Sequence, residues 1–166
     1  MADNYGTVNG YRTYCIARNN LHSNEADDKI QAALLVASEW LDAVYRSSFP
    51  GLKVGLRAQE REWPRTGAID IYGYAISESG VPTEIENATY EATHREIENP
   101  GSLSVDYTPT KYKSASVDGA VSVQFQQFDS AAETQIRITI VDQILGPVLT
   151  GSSGTNSKYS GSIVRA

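Results

Sequence analysis

The sequence is poor in cysteine and in positive charge, and it lacks a long apolar run. Cys15 is the single cysteine among 166 residues, which excludes an internal disulfide and favours a reducing compartment. No apolar run approaches the ~18 residues of a membrane span. Fourteen Lys and Arg stand against 20 Asp and Glu, a net charge of −6, whereas a protein that coats DNA needs excess cations against phosphate. Composition thus excludes secreted disulfide scaffolds, membrane-spanning proteins and basic nucleic-acid packaging proteins.

The motifs of common enzyme and metal sites are also missing. The chain contains no phosphate-binding loop, no Gly-x-Gly-x-x-Gly and no Gly-x-Ser-x-Gly. His22 and His94 are far apart in the sequence and belong to no His-x-x-x-His or Cys-x-x-Cys pattern. We interpret Cys15 as a core or neutral thiol and His94 as a solvated side chain. A set of acidic residues is interpreted as solvated helix faces rather than as a metal site: Asp27, Asp28, Glu84, Glu86, Glu91, Glu96 and Glu98. We therefore expect no enzyme activity, no cofactor and no metal.

Apolar spacing predicts a mainly α fold, a small helical bundle. Helical segments are expected at residues 4–20, 24–46 and 81–98, and from about residue 139 to Gly146-Pro147. Thr7 is a candidate N-cap of the first segment, and Ser23 or Asn24 a candidate N-cap of the second.

Between the second and third segments, residues 52–80 lose the helical period, and glycines interrupt them. We predict a long ordered loop packed by its apolar side chains: Trp63, Ile69, Ile71, Tyr72 and Tyr74. Its most unusual string is Trp63-Pro64-Arg65-Thr66-Gly67. Two interpretations stay open for Trp63 and Arg65: a clamp of the loop on the core, or a direct role in binding a partner at a subunit interface.

A β-hairpin is predicted at about residues 110–126, because Asp118-Gly119 separates two segments of alternating pattern. A two-stranded hairpin is marginal alone, so it must lie on a helix or on a neighbouring copy, and Tyr112, Val121 and Val123 are interface candidates. A further interpretation is a platform that stacks single-stranded bases, built from aromatic residues interleaved with lysines: Tyr107, Lys111, Tyr112 and Lys113.

The last residues, 150–166, read as a flexible tail that follows a helical domain of residues 1–149. Eleven of these 17 residues are Gly, Ser, Thr or Asn, too polar to order on their own. The end of the tail carries apolar and cationic side chains that could order on a partner: Lys158, Tyr159, Ile163, Val164 and Arg165.

Several strings, taken in order, resemble one known family. They are Asn4-Tyr5 with Thr7 and Tyr14; Ala37-Ser38-Glu39-Trp40-Leu41-Asp42 with Tyr45; Gln59-Glu60-Arg61-Glu62-Trp63-Pro64-Arg65-Thr66-Gly67; Val81-Pro82 with Ala88-Thr89-Tyr90-Glu91-Ala92; Pro100-Gly101-Ser102-Leu103; Val117-Asp118-Gly119-Ala120-Val121; and Ile144-Leu145 with Pro147-Val148-Leu149. Together they resemble the DnaT-like single-stranded-DNA-binding family of tailed phages and prophages, over roughly residues 4–150.

Members of that family look like head–tail adaptor, or head-completion, proteins, so the resemblance implies a structural virion protein. The protein is expected to form a homo-oligomeric ring of about twelve copies in the phage neck. It would be synthesised in the cytoplasm of the bacterial host. One expected partner is the portal protein, which the C-terminal segment of residues 150–166 would bind. The other is a downstream protein of the phage: a neck, tail-terminator or tail protein. A ring lumen lined with acidic residues would let double-stranded DNA pass without specific binding. The alternative, which the family name implies, is a single-stranded-DNA-binding replication accessory protein.

Overall fold

The computed structural model describes residues 4–104, 114–117, 121–124 and 136–150, and they form a mainly α fold. The helices are α1 (Val8–Ala17), α2 (Asp27–Tyr45), α3 (Thr83–Glu98) and α4 (Thr139–Leu145). The strands are β1 (Leu52–Lys53), β2 (Arg65–Thr66), β3 (Ser114–Val117) and β4 (Val121–Gln124), paired antiparallel as β1–β2 and β3–β4. The predicted fold class, a helical bundle with a long loop and a hairpin, is confirmed. No helix within the described ranges has the length and apolar content needed to cross a membrane.

The core lies where α3 packs against α2 on one side and α4 on another, with α1 beside α2 and α3. The buried face of α2 is the one that its sequence spacing predicts: Ile30, Ala33, Leu34, Ala37, Trp40, Leu41 and Tyr45. On α3, Ala88 and Ala92 are fully buried, and their small side chains allow the neighbouring helices to approach closely.

The first helix begins as predicted, because the Thr7 side chain accepts a hydrogen bond from the Gly10 amide at 3.0 Å. Cys15 faces the core and is buried, which raises the pKa of its thiol. The interpretation of Cys15 as a core thiol is thus confirmed.

The second helix begins later than predicted, at Asp27, after a separate 3₁₀ turn over Leu21–Asn24. Its N-cap is Ala26, so the prediction that Ser23 or Asn24 caps it is wrong. The reason lies in α1: the Arg12 guanidinium donates to the carbonyl oxygens of Ser23 at 3.1 Å and Glu25 at 2.8 Å. These bonds hold the connection in a conformation that the helix cannot include.

A hairpin lies within the predicted range of residues 110–126, with Ser114 opposite Gln124 and Val117 opposite Val121. Its second strand begins at Val121, one residue later than Ala120, where the sequence predicts it. The turn residues 118–120 and Tyr112 lie outside the described residues, as do the side chains of Val121 and Val123. Residues 151–166, which include all five partner-binding candidates of the tail, also lie outside them. The predicted interface roles of these residues, and the boundary between domain and tail, stay predictions.

Candidate functional site

The long loop between α2 and α3 divides into two segments. We call residues 61–68 the tryptophan segment and residues 69–76 the tyrosine turn. In the tryptophan segment, Trp63 is only 2% exposed and packs edge-on against Phe49, with ring centroids 5.6 Å apart. Its backbone N–H donates to the Tyr5 hydroxyl at 3.0 Å. Trp63 therefore lies inside the core of its own chain.

Arg65 is also buried, and its guanidinium binds its own chain. The Nε atom donates to the Pro50 carbonyl at 2.7 Å, and Nη2 donates to the Gly51 carbonyl at 2.7 Å. Nη1 pairs with the Glu62 carboxylate at 2.8 Å. The contacts of Trp63 and Arg65 favour the first interpretation, in which these residues clamp the loop on the core of their own chain. Their assignment to a subunit interface stays a prediction.

A buried polar group ties the tryptophan segment to α2. The Tyr5 hydroxyl donates to Asp42 Oδ1 at 2.5 Å, and Arg61 Nη1 lies 3.7 Å from Asp42 Oδ2. Burial raises the pKa of Asp42, although the Tyr5 hydrogen bond and the Arg61 charge act in the opposite direction. Burial beside this carboxylate also raises the pKa of Tyr5. The segment is thus held by apolar packing and by the hydrogen bond and ion pair that compensate the burial of Asp42.

The tyrosine turn is fixed by hydrogen bonds to its backbone. Asp70 Oδ1 accepts from the amides of Tyr72 at 2.9 Å and Tyr74 at 2.8 Å, and the Asp70 amide donates to the Tyr74 carbonyl at 2.9 Å. Gly73 supplies the positive φ of 87° that the turn requires. The Ile71 amide donates to the Pro147 carbonyl at 3.0 Å, which anchors the turn beside the end of α4.

The side chains of this turn point away from the core. Tyr72 and Tyr74 are each 73% exposed, and Ile69 and Ile71 are more than half exposed. The prediction that these four pack the loop is therefore wrong, whereas it is confirmed for Trp63. Neither tyrosine hydroxyl has a hydrogen-bond partner among the described residues. Aromatic rings presented to solvent on a fixed backbone are the groups on which unpaired bases stack.

The hairpin aromatics and lysines that the sequence offers as a stacking platform, Tyr107, Lys111, Tyr112 and Lys113, lie outside the described residues. Sequence reasoning missed the tyrosine turn as a candidate surface. The signal that could have found it is Asp70 two and four residues before two aromatic residues, with Gly73 between them, which is typical of an exposed turn rather than of a packed loop.

Comparison with known families matches residues 1–166 to the family described as "Putative DnaT-like ssDNA binding protein". The chain belongs to this family. The match includes the C-terminal residues 151–166, whereas the resemblance described from the sequence covers only about residues 4–150. No curated protein and no solved structure was found to match the chain.

The family description overturns the head–tail adaptor prediction. It describes binding to single-stranded DNA, which is the alternative stated above, and not a connector of the virion neck. The predicted ring of about twelve copies, the portal and tail-terminator partners, and the passage of double-stranded DNA without specific binding depend on the adaptor function and are corrected with it. The error has a physical source: a net charge of −6 argues against binding through phosphates, but it does not argue against binding through base stacking.

Proposed function

We propose that this protein binds single-stranded DNA as a replication accessory protein, and that the tyrosine turn is its base-stacking surface. The observation that carries the proposal is the pair of exposed rings, Tyr72 and Tyr74, on a backbone that Asp70 fixes. The family match over the whole chain supports the same class of ligand.

The fixed backbone favours binding, because a turn whose backbone is already ordered loses little conformational entropy there when bases stack on its side chains. A tyrosine side chain also presents a large flat surface with few rotatable bonds. Bases in a duplex already stack on each other, so the proposed surface favours single strands over duplex DNA of the same sequence.

The distribution of charge predicts that phosphate contacts contribute little at the helical part of the chain. Residues 1–104 hold nine basic and 15 acidic residues, whereas residues 105–166 hold five of each. Affinity for DNA falls with rising salt concentration more steeply the more phosphates the protein neutralises. Because stacking neutralises none, we expect the affinity of this acidic protein to depend only weakly on salt concentration.

The test is fluorescence anisotropy of a dye-labelled oligothymidine strand, titrated with the wild type and with the double variant Tyr72→Ala/Tyr74→Ala. Stacking contributes ~1–3 kcal/mol per base, and 1.4 kcal/mol corresponds to tenfold in Kd, so we expect a loss of about tenfold or more. The double variant Tyr72→Phe/Tyr74→Phe keeps both rings and should bind within about twofold of the wild type.

Ile16→Ala is the matched control, since Ile16 is an exposed apolar residue on α1 and not on the loop. It should leave the Kd unchanged. Failure of the wild-type protein to bind the strand at physiological salt would contradict the function. Equal binding by the alanine double variant would contradict the assigned surface only.

A further inference from the structure

Two histidines that are distant in the sequence lie side by side in the structure. His22 lies in the 3₁₀ turn between α1 and α2, and His94 lies on α3, with ring centroids 5.0 Å apart. Both rings are half-buried, so His94 is less exposed than the predicted solvated side chain. Glu98 follows His94 by one helical turn and reaches the same place.

Three potential ligand atoms converge there. Glu98 Oε1 lies 3.5 Å from His94 Nε2 and 3.8 Å from His22 Nε2, and one ligand atom from each residue lies within 4.8 Å of the other two. Zinc binds imidazole nitrogen and carboxylate oxygen at about 2.0–2.2 Å, which places tetrahedral ligands about 3.3 Å apart. Small side-chain rotations would therefore bring the three atoms to a common ion.

The surroundings of His22 orient its ring for this role. Glu25 Oε1 lies 3.4 Å from His22 Nδ1, and a proton held there leaves the lone pair of Nε2 free on the side of Glu98. A carboxylate on the far nitrogen is the usual partner of a metal-binding histidine. Lys29 pairs with the other oxygen of Glu25 at 3.0 Å, which holds this carboxylate in place beside His22.

Asn20 positions the second ring without using its ring lone pairs. The Asn20 amide nitrogen is 3.1 Å from His94 Nδ1 and 3.2 Å from Nε2. An atom equally distant from both ring nitrogens lies over the face of the ring, because in the ring plane it would collide with the carbon between them. The lone pair of His94 Nε2 in the ring plane therefore stays available.

We propose that His22, His94 and Glu98 bind a divalent transition-metal ion of the zinc class. Two imidazoles and one carboxylate are a donor set that suits zinc, cobalt or nickel better than magnesium or calcium. Three protein ligands leave a position for water, and Glu98 is half exposed, so the ion can enter from solvent. The bound ion would join the connection between α1 and α2 to the end of α3.

The experiment uses the full chain without a polyhistidine tag and measures binding of Zn²⁺ by calorimetry and of Co²⁺ by its visible absorption bands. We expect one ion per chain, the intense bands of nitrogen-ligated four-coordinate Co²⁺, and a higher Tm when Zn²⁺ is present, because binding to the native state stabilises it. His22→Ala, His94→Ala and Glu98→Gln should each weaken binding at least tenfold and remove the rise in Tm. Circular dichroism of each metal-free variant checks that it is folded.

Glu84→Gln is the matched control, because Glu84 is an acidic residue at the other end of α3. It should bind Zn²⁺ as the wild type does. Absence of wild-type binding at micromolar to millimolar Zn²⁺ would overturn the proposal. So would binding that is equal in the wild type and the three ligand variants, since it would place the ion elsewhere.

Discussion

The tryptophan segment and the tyrosine turn are neighbours in one loop, and both carry aromatic residues, yet they differ in every contact. Trp63 is enclosed by Phe49 and hydrogen-bonded through its backbone to Tyr5, whereas Tyr72 and Tyr74 are open to solvent. Buried charges hold the first segment, and backbone hydrogen bonds hold the second. The difference teaches that one loop can supply both a structural anchor and a surface presented to solvent, each held by its own set of contacts.

The comparison predicts its largest effect on stability at Trp63. Trp63→Ala removes a large buried side chain and should lower the free energy of unfolding by about 3–5 kcal/mol, measured by urea denaturation. Tyr72→Ala should change it by less than about 0.5 kcal/mol, because the ring is mostly exposed. Similar losses for the two variants would break the comparison.

A smaller effect, dependent on pH, is expected at Asp42. Burial raises the pKa of this carboxyl in the folded state, so the protonated form favours folding and its contribution is lost as the pH rises through the raised value. The stability of the wild type relative to Asp42→Asn should therefore fall as the pH rises above about 4, the ordinary pKa of an aspartate. Urea denaturation at a series of pH values measures it, and a difference that is flat or rises with pH would show that Asp42 is not held as described.

The smallest effect is expected at Glu78, which follows the tyrosine turn in the sequence and binds the end of the tryptophan segment at the surface. Its Oε1 atom accepts from the Thr66 hydroxyl at 2.7 Å and the Gly67 amide at 3.1 Å, and these bonds hold its pKa below the usual value. Glu78→Gln should leave global unfolding nearly unchanged but speed hydrogen exchange at Gly67, as should lowering the pH of the wild type through the Glu78 pKa. Glu60→Gln, an exposed carboxylate on the same loop, should not. Equal exchange in both variants would show that Glu78 does not protect the Gly67 amide.

Much of the helical architecture was predictable, because local spacing decides which face of a helix is buried. The apolar period of α2 and the Thr7 cap are both local signals, and both are confirmed. The start of α2 was not predictable, since Arg12 on another helix sets it.

The candidate sites were less predictable, because contacts between distant residues create them. The direction of the tyrosine turn depends on the bond from Ile71 to Pro147, and no local pattern reports that bond. His22 and His94 meet only because the turn before α2 packs on α3. The one local hint was the spacing of His94 and Glu98 by four residues on a helix.

The central claim is that single-stranded DNA stacks on the tyrosine turn, and photo-crosslinking tests it most directly. A single strand that contains 5-iodouracil is bound to the wild-type protein, irradiated and digested, and mass spectrometry then locates the crosslinked residues. We expect crosslinks at Tyr72 and Tyr74, which are exposed, and none at Trp63, which is buried. Crosslinks confined to residues outside 69–76 would contradict it.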